Sequence, residues 1–588
     1  MAAAFSDAMS GEILLHHAAT GKWWHFSDPI EAIEAYRVEE VLPRLRQVEA
    51  AVEKHNLYGI GFISYEAAPA FDPAFRVRRT SDFPLLWFGL YREPAVDSAL
   101  RASRSRQLEI SPCEWKPSVS ESEYAQAIAR IKDEIARGNT YQANYTWRLR
   151  ALFRADPKAL FVALVEAQPV AYAAYLDTGR YALCSVSPEL FFSRDGAMVV
   201  AKPMKGTAPR GRFNAEDRAY AAQLRRSAKN RAENVMIVDM VRNDLGRVAK
   251  LGSVRVDRLW ETERYATIWQ MTSTVVAETN VATSDLIAAL FPCASITGAP
   301  KVSTMRLLSE LETEPRRVYT GGIGFLAPQR RAQFNVAIRT VLVDRKSGEA
   351  EYGVGGGITW DSEVADEYAE CFNKARALLQ PDPEFELFET MRWTRREGYF
   401  LLERHLARLR DSADYFDFAF DEERVRRKLC DLARSFVAPQ RIRLSLSRTG
   451  EVKLESAPLS FDDRQPLRLQ LAPTPVNSCD RFLFHKTTHR SVYAAARALC
   501  RRADDVLLWN ERGELTETTI GNVVLRLNDE LVTPPVECGL LPGTMRAELL
   551  AKGRVRERII MRDELERCTE LYRINSVRGC ERAVLITG

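Results

Sequence analysis

Histidine is scarce in this 588-residue chain: there are seven, and none falls between His55 and His405. Catalysis within that stretch must rest on carboxylates, lysine, hydroxyls or backbone, and a metal there would need oxygen ligands, which points to magnesium rather than zinc. The ten cysteines, from Cys113 to Cys580, include no CxxC pair. They read as reduced structural thiols, not as a zinc site or a disulfide frame. Long apolar runs are missing too, for none approaches the eighteen residues of a membrane helix, and the opening MAAAFSDAMS lacks a basic segment followed by an apolar one. A cytoplasmic protein without membrane span or secretory signal is expected. No charge of one sign dominates, with 83 basic against 79 acidic residues, so nucleic acid is not an expected partner. The basic run at 424–428 then reads as a solvated helix face.

What is present supports several cores, since 46% of the residues are hydrophobic. Residues 123–138 (YAQAIARIKDEIARG after Glu123) have the spacing of an amphipathic helix, and AYAAYLD, ALCSVSP, AMVVAKP and RTVLVD read as strands. A longer helix is expected over residues 231–248, ending near Gly246. Helices and strands interleave without a strict βαβ rhythm, which predicts an α+β chain. The segment LLQPDPEFE interrupts a helical run with two prolines. It divides the chain into 1–378, a linker at 379–385, and 386–588. No internal repeat is visible.

Several motifs before the linker bear chemistry. SPELFF carries Glu189; sixteen residues on, KPMKGTAPRG carries Lys205, and twenty-eight further KNRAENVMIVDMVRND carries Glu233. PCASITGAPK (292–301) and GVGGGITWDSEVADEYAECFNKA (353–375) follow. Glu367 and Glu370 lie three apart on one helical face and can meet one cation, although Glu370 and Lys374 at i, i+4 equally make an ordinary ion pair. The glycines Gly355, Gly356 and Gly357 let a ligand approach the backbone or simply make a turn. Pro300 suits the first turn of a helix, so the N–H groups from Thr297 through Gly298 to Ala299 form either a carboxylate cradle or a plain cap.

In this order and spacing the motifs resemble the chorismate-utilising enzymes, over residues 124–379. The resemblance implies antiparallel sheets flanked by helices. Two positions select among the family's reactions. Gln142, in NTYQANYT, stands where water-adding members carry lysine, and Lys205, in PMKGT, stands where anthranilate-forming members carry a small residue and aminodeoxychorismate-forming members a lysine. Amination of chorismate at C4 is thus implied. A lysine kept neutral by desolvation can be a nucleophile, and by similarity Lys205 attacks C2 and expels the C4 hydroxyl before ammonia adds at C4. Glu189 would serve as acid and base. Magnesium held by Glu233 and Glu370, with Glu367 nearby, would hold the ring carboxylate, and Arg339 with Tyr319 the enolpyruvyl carboxylate. Gln142, Thr297, Gly298, Gly355, Gly356 and Lys374 complete the implied substrate site.

Two departures stand out. Gln270 replaces the histidine of many members, leaving the departing hydroxyl to Glu189, because glutamine does not titrate. Cys293 and Ala294 replace the usual glycines before SITG. No GxCxG nucleophile elbow is present, so a separate glutamine amidotransferase supplying ammonia is the implied partner.

After the linker, LFETMRW and GYFLLERHLARLRDSADYFDF suggest a strand pair leading into a helix; HLARL offers Arg408, FLFHKTTHRSVY holds Lys486, GELTETTIGNVVL holds Glu517, and GLLPGTMR holds Thr544 in a Gly-Thr turn. Any one could be structural. Together, over residues 386–588, they resemble the class IV aminotransferase fold, with two α/β subdomains, shared by branched-chain aminotransferase and aminodeoxychorismate lyase. That resemblance implies pyridoxal 5'-phosphate carried by Lys486, with Glu517 against the pyridine nitrogen and Arg408 and Thr544 on the phosphate. Arg578, in NSVRG, is a candidate carboxylate ligand, and a homodimer through this domain is a further expectation. The product implied for the first domain is the substrate of a lyase in the second, so the fusion points to bifunctional 4-aminobenzoate synthesis for the folate pathway. Two alternatives are an anthranilate synthase component joined to an amino-acid aminotransferase, and a non-catalytic interaction module at the C-terminus.

Overall fold

A computed structural model describes residues 11–80, 82–96, 114–379, 383–459 and 466–586; residues 380–382 of the expected linker lie outside them. The chain divides into two compact units, one of residues 1–209 and 221–382, the other of residues 210–220 and 383–588. Among the described residues no helix is long and apolar enough to cross a membrane, and every cysteine is free.

The first unit is built on two ten-stranded sheets whose strands pair antiparallel, as the resemblance implied. Their composition explains the layering. In Tyr181–Ser187, Ala182, Cys184 and Val186 enter one apolar cluster while Tyr181 and Leu183 enter another, and Thr340–Asp344 divides Val341 and Val343 from Leu342 in the same way. A strand buried on both faces needs such an unbroken apolar run, with alternate residues pointing to opposite sides. One cluster joins residues of both sheets, including Leu15, Leu183, Phe62 and Phe325, so the sheets pack face to face. Outside them lie helices: Glu121–Ala136 and Pro157–Ala167 on one sheet, Val38–His55 and Ala228–Gly246 on the other.

The helix Glu121–Ala136 begins two residues before the expected start. Ser120 caps it: its hydroxyl accepts from the Glu123 N–H at 3.3 Å, and Glu123 accepts from the Ser120 N–H at 2.8 Å. Tyr124, Ala127, Ile128 and Ile131 form its buried stripe. The glycines at 355–357 are no turn. They lie inside Glu349–Ile358, which pairs with Gln142–Leu152 in continuous register from Glu349↔Leu152 to Ile358↔Ala143.

In the second unit, Leu387–Thr394 and Gln440–Leu446 form the centre of a four-stranded antiparallel sheet, with Val452–Pro458 along one edge. Leu387, Met391, Ile442 and Leu444 bury one face against the helices Leu402–Phe416 and Glu422–Ala433. Arg424 and Arg427 of the basic run lie exposed, with Val425 buried between them. An eight-stranded sheet makes the other subdomain, parallel only where Leu467–Leu471 meets Asp505–Trp509 and Gly579–Leu585, and where Glu530–Thr533 meets Arg556–Glu557. The segment 210–220 is fastened within this unit: Tyr415 donates to the Gly211 carbonyl at 2.6 Å, and His485 Nε2 meets the Arg212 carbonyl at 3.1 Å.

Candidate active sites

The first unit contains a cavity of about 290 Å³ whose lining includes Glu189, Lys205, Glu233, Gln270, Arg339 and Lys374. Lys205 enters from the strand Met204–Pro209, Glu233 from the capped helix Ala228–Gly246, and Lys374 from Val364–Lys374. Glu189 lies between two strands and is 3% exposed. Burial pushes its carboxyl up to about 7, against the pull of a Ser295 hydroxyl that donates to Oε1 at 2.6 Å and of the Lys205 ammonium. Burial also depresses the Lys205 amine; the neighbouring Glu233 and Glu370 oppose this, and Lys374 adds to it. Burial thus favours the protonated form of the Glu189 carboxyl and the neutral form of the Lys205 amine.

The glycines make room for these groups. A Cβ at Gly357 would collide with Gln142 Nε2 and Lys205 Nζ, which places the glutamine amide beside the lysine. A Cβ at Gly353 would collide with the Tyr319 ring, and one at Gly355 with the Tyr145 carbonyl. Two buried polar atoms, Gln142 Oε1 and Arg339 Nη1, have no hydrogen-bond partner. An unpaired guanidinium nitrogen lining a cavity suits an anionic oxygen. Tyr319, also lining, packs under the Arg148 guanidinium at 5.0 Å.

Two of the expected substrate groups face elsewhere. The Thr297 N–H goes to the Ala294 carbonyl at 3.4 Å and its hydroxyl to the Ala294 and Cys293 carbonyls at 3.2 and 3.3 Å. Gly298, at φ +145°, pairs with Ala143 in the sheet. The 297–299 backbone is therefore no free cradle, because strand pairing and a tight turn use its polar groups; Ser295 and Ile296 line the cavity instead. The expected magnesium ligands share the cavity, and Glu367 and Glu370 already have partners within it. Glu233, Glu367 and Glu370 reach one cavity, yet among the described residues no three His, Cys, Asp or Glu side chains form a group able to hold an ion. Glu370 is paired with Lys374 at 2.7 Å, the same lysine donates to the Gly355 carbonyl at 2.9 Å, and Glu367 accepts from Ser362 at 2.7 Å. Lys374 thus partners the Glu370 carboxylate that was expected to meet the ion. Gln270 does line the cavity, its carbonyl accepting from Thr207 at 3.3 Å.

The second unit holds a cavity of about 1280 Å³. Lys486, fixed by its carbonyl accepting from the Phe388 N–H at 3.0 Å, sets Nζ 4.7 Å from the Phe388 ring centre. Burial brings its amine down to about 7, helped by Arg408 and opposed by Glu389 and Glu517. Glu517, on Leu515–Thr518, is pushed up to about 7 by burial; Tyr493 donates to Oε1 at 2.7 Å and Asn522 to Oε2 at 3.2 Å. Thr544 is not in a turn but opens the helix Thr544–Ala551 behind Gly543. Arg408 and Arg578 both line the cavity.

Sequence reasoning missed Ser295, Tyr493, Asn522, Glu389 and His405. For His405 a signal existed, since it stands three residues before Arg408 on one helical face. Ser295 stands within the PCASITGAPK motif, but its partner Glu189 lies 106 residues away.

Residues 11–380 match the family model described as chorismate binding enzyme, and residues 386–586 that of amino-transferase class IV. Aminodeoxychorismate synthase component 1 of Bacillus subtilis is 40% identical over 44% of this chain and 55% of its own length; the Escherichia coli protein of that name is 36% identical over 45% and 59%. An anthranilate synthase component 1 of Haloarcula marismortui is 37% identical over 51% of this chain and 63% of its own. The chain thus spans between half and two thirds of the length of these relatives. Anthranilate synthase component I of Streptococcus pneumoniae shares the fold, with a TM-score of 0.54 at 23% identity over 65% of this chain and 95% of that one. The chain belongs to the family of chorismate binding enzymes, with a class IV aminotransferase domain following in the same polypeptide.

Proposed function

We propose that this chain converts chorismate to 4-aminobenzoate in two steps, amination at C4 to 4-amino-4-deoxychorismate and then elimination of pyruvate. The observation that carries this reading is Lys205, buried in one cavity with Glu189, at the position that separates aminodeoxychorismate from anthranilate chemistry. The Lys205 amine attacks C2, the double bond shifts, and the C4 hydroxyl leaves with the proton held by Glu189. Ammonia then adds at C4 and Lys205 departs, so chorismate and ammonia become aminodeoxychorismate and water. Arg339, with its unpaired Nη1, and Tyr319 hold the enolpyruvyl carboxylate. The ammonia comes from a separate glutamine amidotransferase.

Magnesium fits the first cavity in donor chemistry, since Glu233, Glu367 and Glu370 offer only oxygen, but the ion would have to take Glu370 from Lys374. Its role is to neutralise the ring carboxylate. Pyridoxal phosphate suits the second cavity in donor chemistry: Lys486 would be its attachment point, Glu517 would partner its ring nitrogen, and Arg408 with Thr544 would hold its phosphate. When bound, that group supplies an electron sink. Lys486 takes the C4 proton, the C3 enolpyruvyl group leaves as pyruvate, and aromatisation drives the step. Arg578, which lines the same cavity, would receive a substrate carboxylate.

The test supplies the purified full chain with chorismate, an ammonium salt, magnesium and pyridoxal phosphate, and identifies products by mass. Equal amounts of 4-aminobenzoate and pyruvate are expected. Accumulating anthranilate would favour the reading suggested by the anthranilate synthase relatives, and an inert protein would overturn both.

A further inference from the structure

The strand Leu387–Thr394 turns Leu387, Met391 and Trp393 into the apolar cluster beneath the four-stranded sheet. Glu389 shares that face by alternation and is 1% exposed. A carboxylate there is a poor choice for stability, because a buried ion pair is commonly no better than apolar residues of the same volume. Its partners suggest what it is for. Glu389 accepts from Arg408 Nε at 2.8 Å and Nη2 at 2.7 Å, and from His405 Nδ1 at 2.7 Å. His405 is itself fully buried, and its Nε2 lies 3.4 Å from the Thr544 hydroxyl. Arg408 also donates through Nη1 to the Pro542 carbonyl at 3.2 Å. Of the five N–H groups of a guanidinium, three are thus engaged on the protein side, which leaves one on each terminal nitrogen for the cavity that Arg408 lines.

We propose that Glu389 and His405 are positioning residues, a buried brace that aims Arg408 at a phosphate group in the second cavity, while the Thr544 hydroxyl donates to the imidazole and so fixes the first turn of Thr544–Ala551 beside that group. This rests on the reading that the cavity takes pyridoxal phosphate. The brace explains why the strand Leu387–Thr394 and the helix Leu402–Phe416 meet at one carboxylate and why the first turn of Thr544–Ala551 reaches it through the imidazole. It also makes a prediction of sign. Electrostatics alone would have the Glu389 charge repel a phosphate, so its removal should tighten binding; positioning requires that its removal weaken binding.

The experiment titrates pyridoxal phosphate, and pyridoxal without the phosphate, into the cofactor-depleted full chain. In Glu389→Gln, affinity for pyridoxal phosphate should fall on the order of tenfold, the scale of a lost charge-assisted contact, while affinity for pyridoxal stays within about twofold. The ³¹P resonance of the bound phosphate should shift. Arg408→Lys in the Glu389→Gln background should lose little beyond Arg408→Lys alone, since both act through one contact. Should Glu389→Gln fail to fold, the same two-ligand comparison on His405→Asn decides. Tighter phosphate binding, or equal weakening of both ligands, overturns the brace while leaving the cofactor reading intact. A wild-type protein that takes neither ligand overturns both.

Discussion

Replacing Glu189 by glutamine should harm catalysis and help stability, and the two effects share one cause. The carboxyl is 3% exposed and held at about 7, well above the 4.5 of an ordinary glutamate, chiefly by burial. Between those two values the folded protein keeps a proton that the unfolded chain has lost, so stability falls as pH rises through that window and is level above it. The difference of 7 − 4.5 corresponds, at about 1.4 kcal/mol per pH unit, to roughly 3 kcal/mol at pH 8. Glutamine keeps an oxygen to accept the Ser295 hydroxyl and carries no charge, so it avoids that cost. Urea unfolding of the full chain, followed through the transition of the first unit, should show Glu189→Gln more stable by up to ~3 kcal/mol at pH 8 and by less than ~1 kcal/mol at pH 5. Chorismate consumption with ammonium should drop about 10²- to 10⁴-fold, the usual worth of a general acid. A variant within a few-fold of wild-type activity, or one whose stability gain is the same at both pH values, would refute the reasoning.

Lys205→Ala should remove most amination at C4 without unfolding the chain, because the amine is the proposed nucleophile; a full wild-type rate by mass-resolved product assay would exclude that role. In Gly357→Ala the added methyl would meet Gln142 Nε2 and Lys205 Nζ, so amination should fall at least about tenfold while lyase turnover of added aminodeoxychorismate holds; an unaffected first step would show that the lysine's placement is not critical. Lys486→Ala should lose the cofactor absorbance and accumulate aminodeoxychorismate, and an independent lyase should restore equal 4-aminobenzoate and pyruvate. Normal 4-aminobenzoate output from that variant would contradict the two-step reading. Chelation should stop chorismate consumption yet spare turnover of added aminodeoxychorismate, and loss of both activities would count against a magnesium site confined to the first unit.

Much that was legible in the sequence was local. The box of Ser120 and Glu123, the stripe of Tyr124, Ala127, Ile128 and Ile131, and the apolar runs of the central strands are set by propensity and period within a few residues. Lys205, Glu233 and Lys486 were visible because each stands in a short motif. By itself the sequence thus determined the kinds of element, their order, the two lysines, and the family resemblance. Tertiary structure decided who meets whom. Glu189 finds Ser295 106 residues away, and Glu389 finds His405 and Arg408 from another element, whereas the i, i+4 pair of Glu370 and Lys374 was already open to the sequence. Thr297 and Gly298 were drawn into a turn and a strand pair, and residues 210–220 were assigned to the second unit rather than the first. The reason is physical: a helix or strand period fixes which way a side chain points, but a hydrogen bond between distant segments depends on register and packing, which the whole fold sets at once.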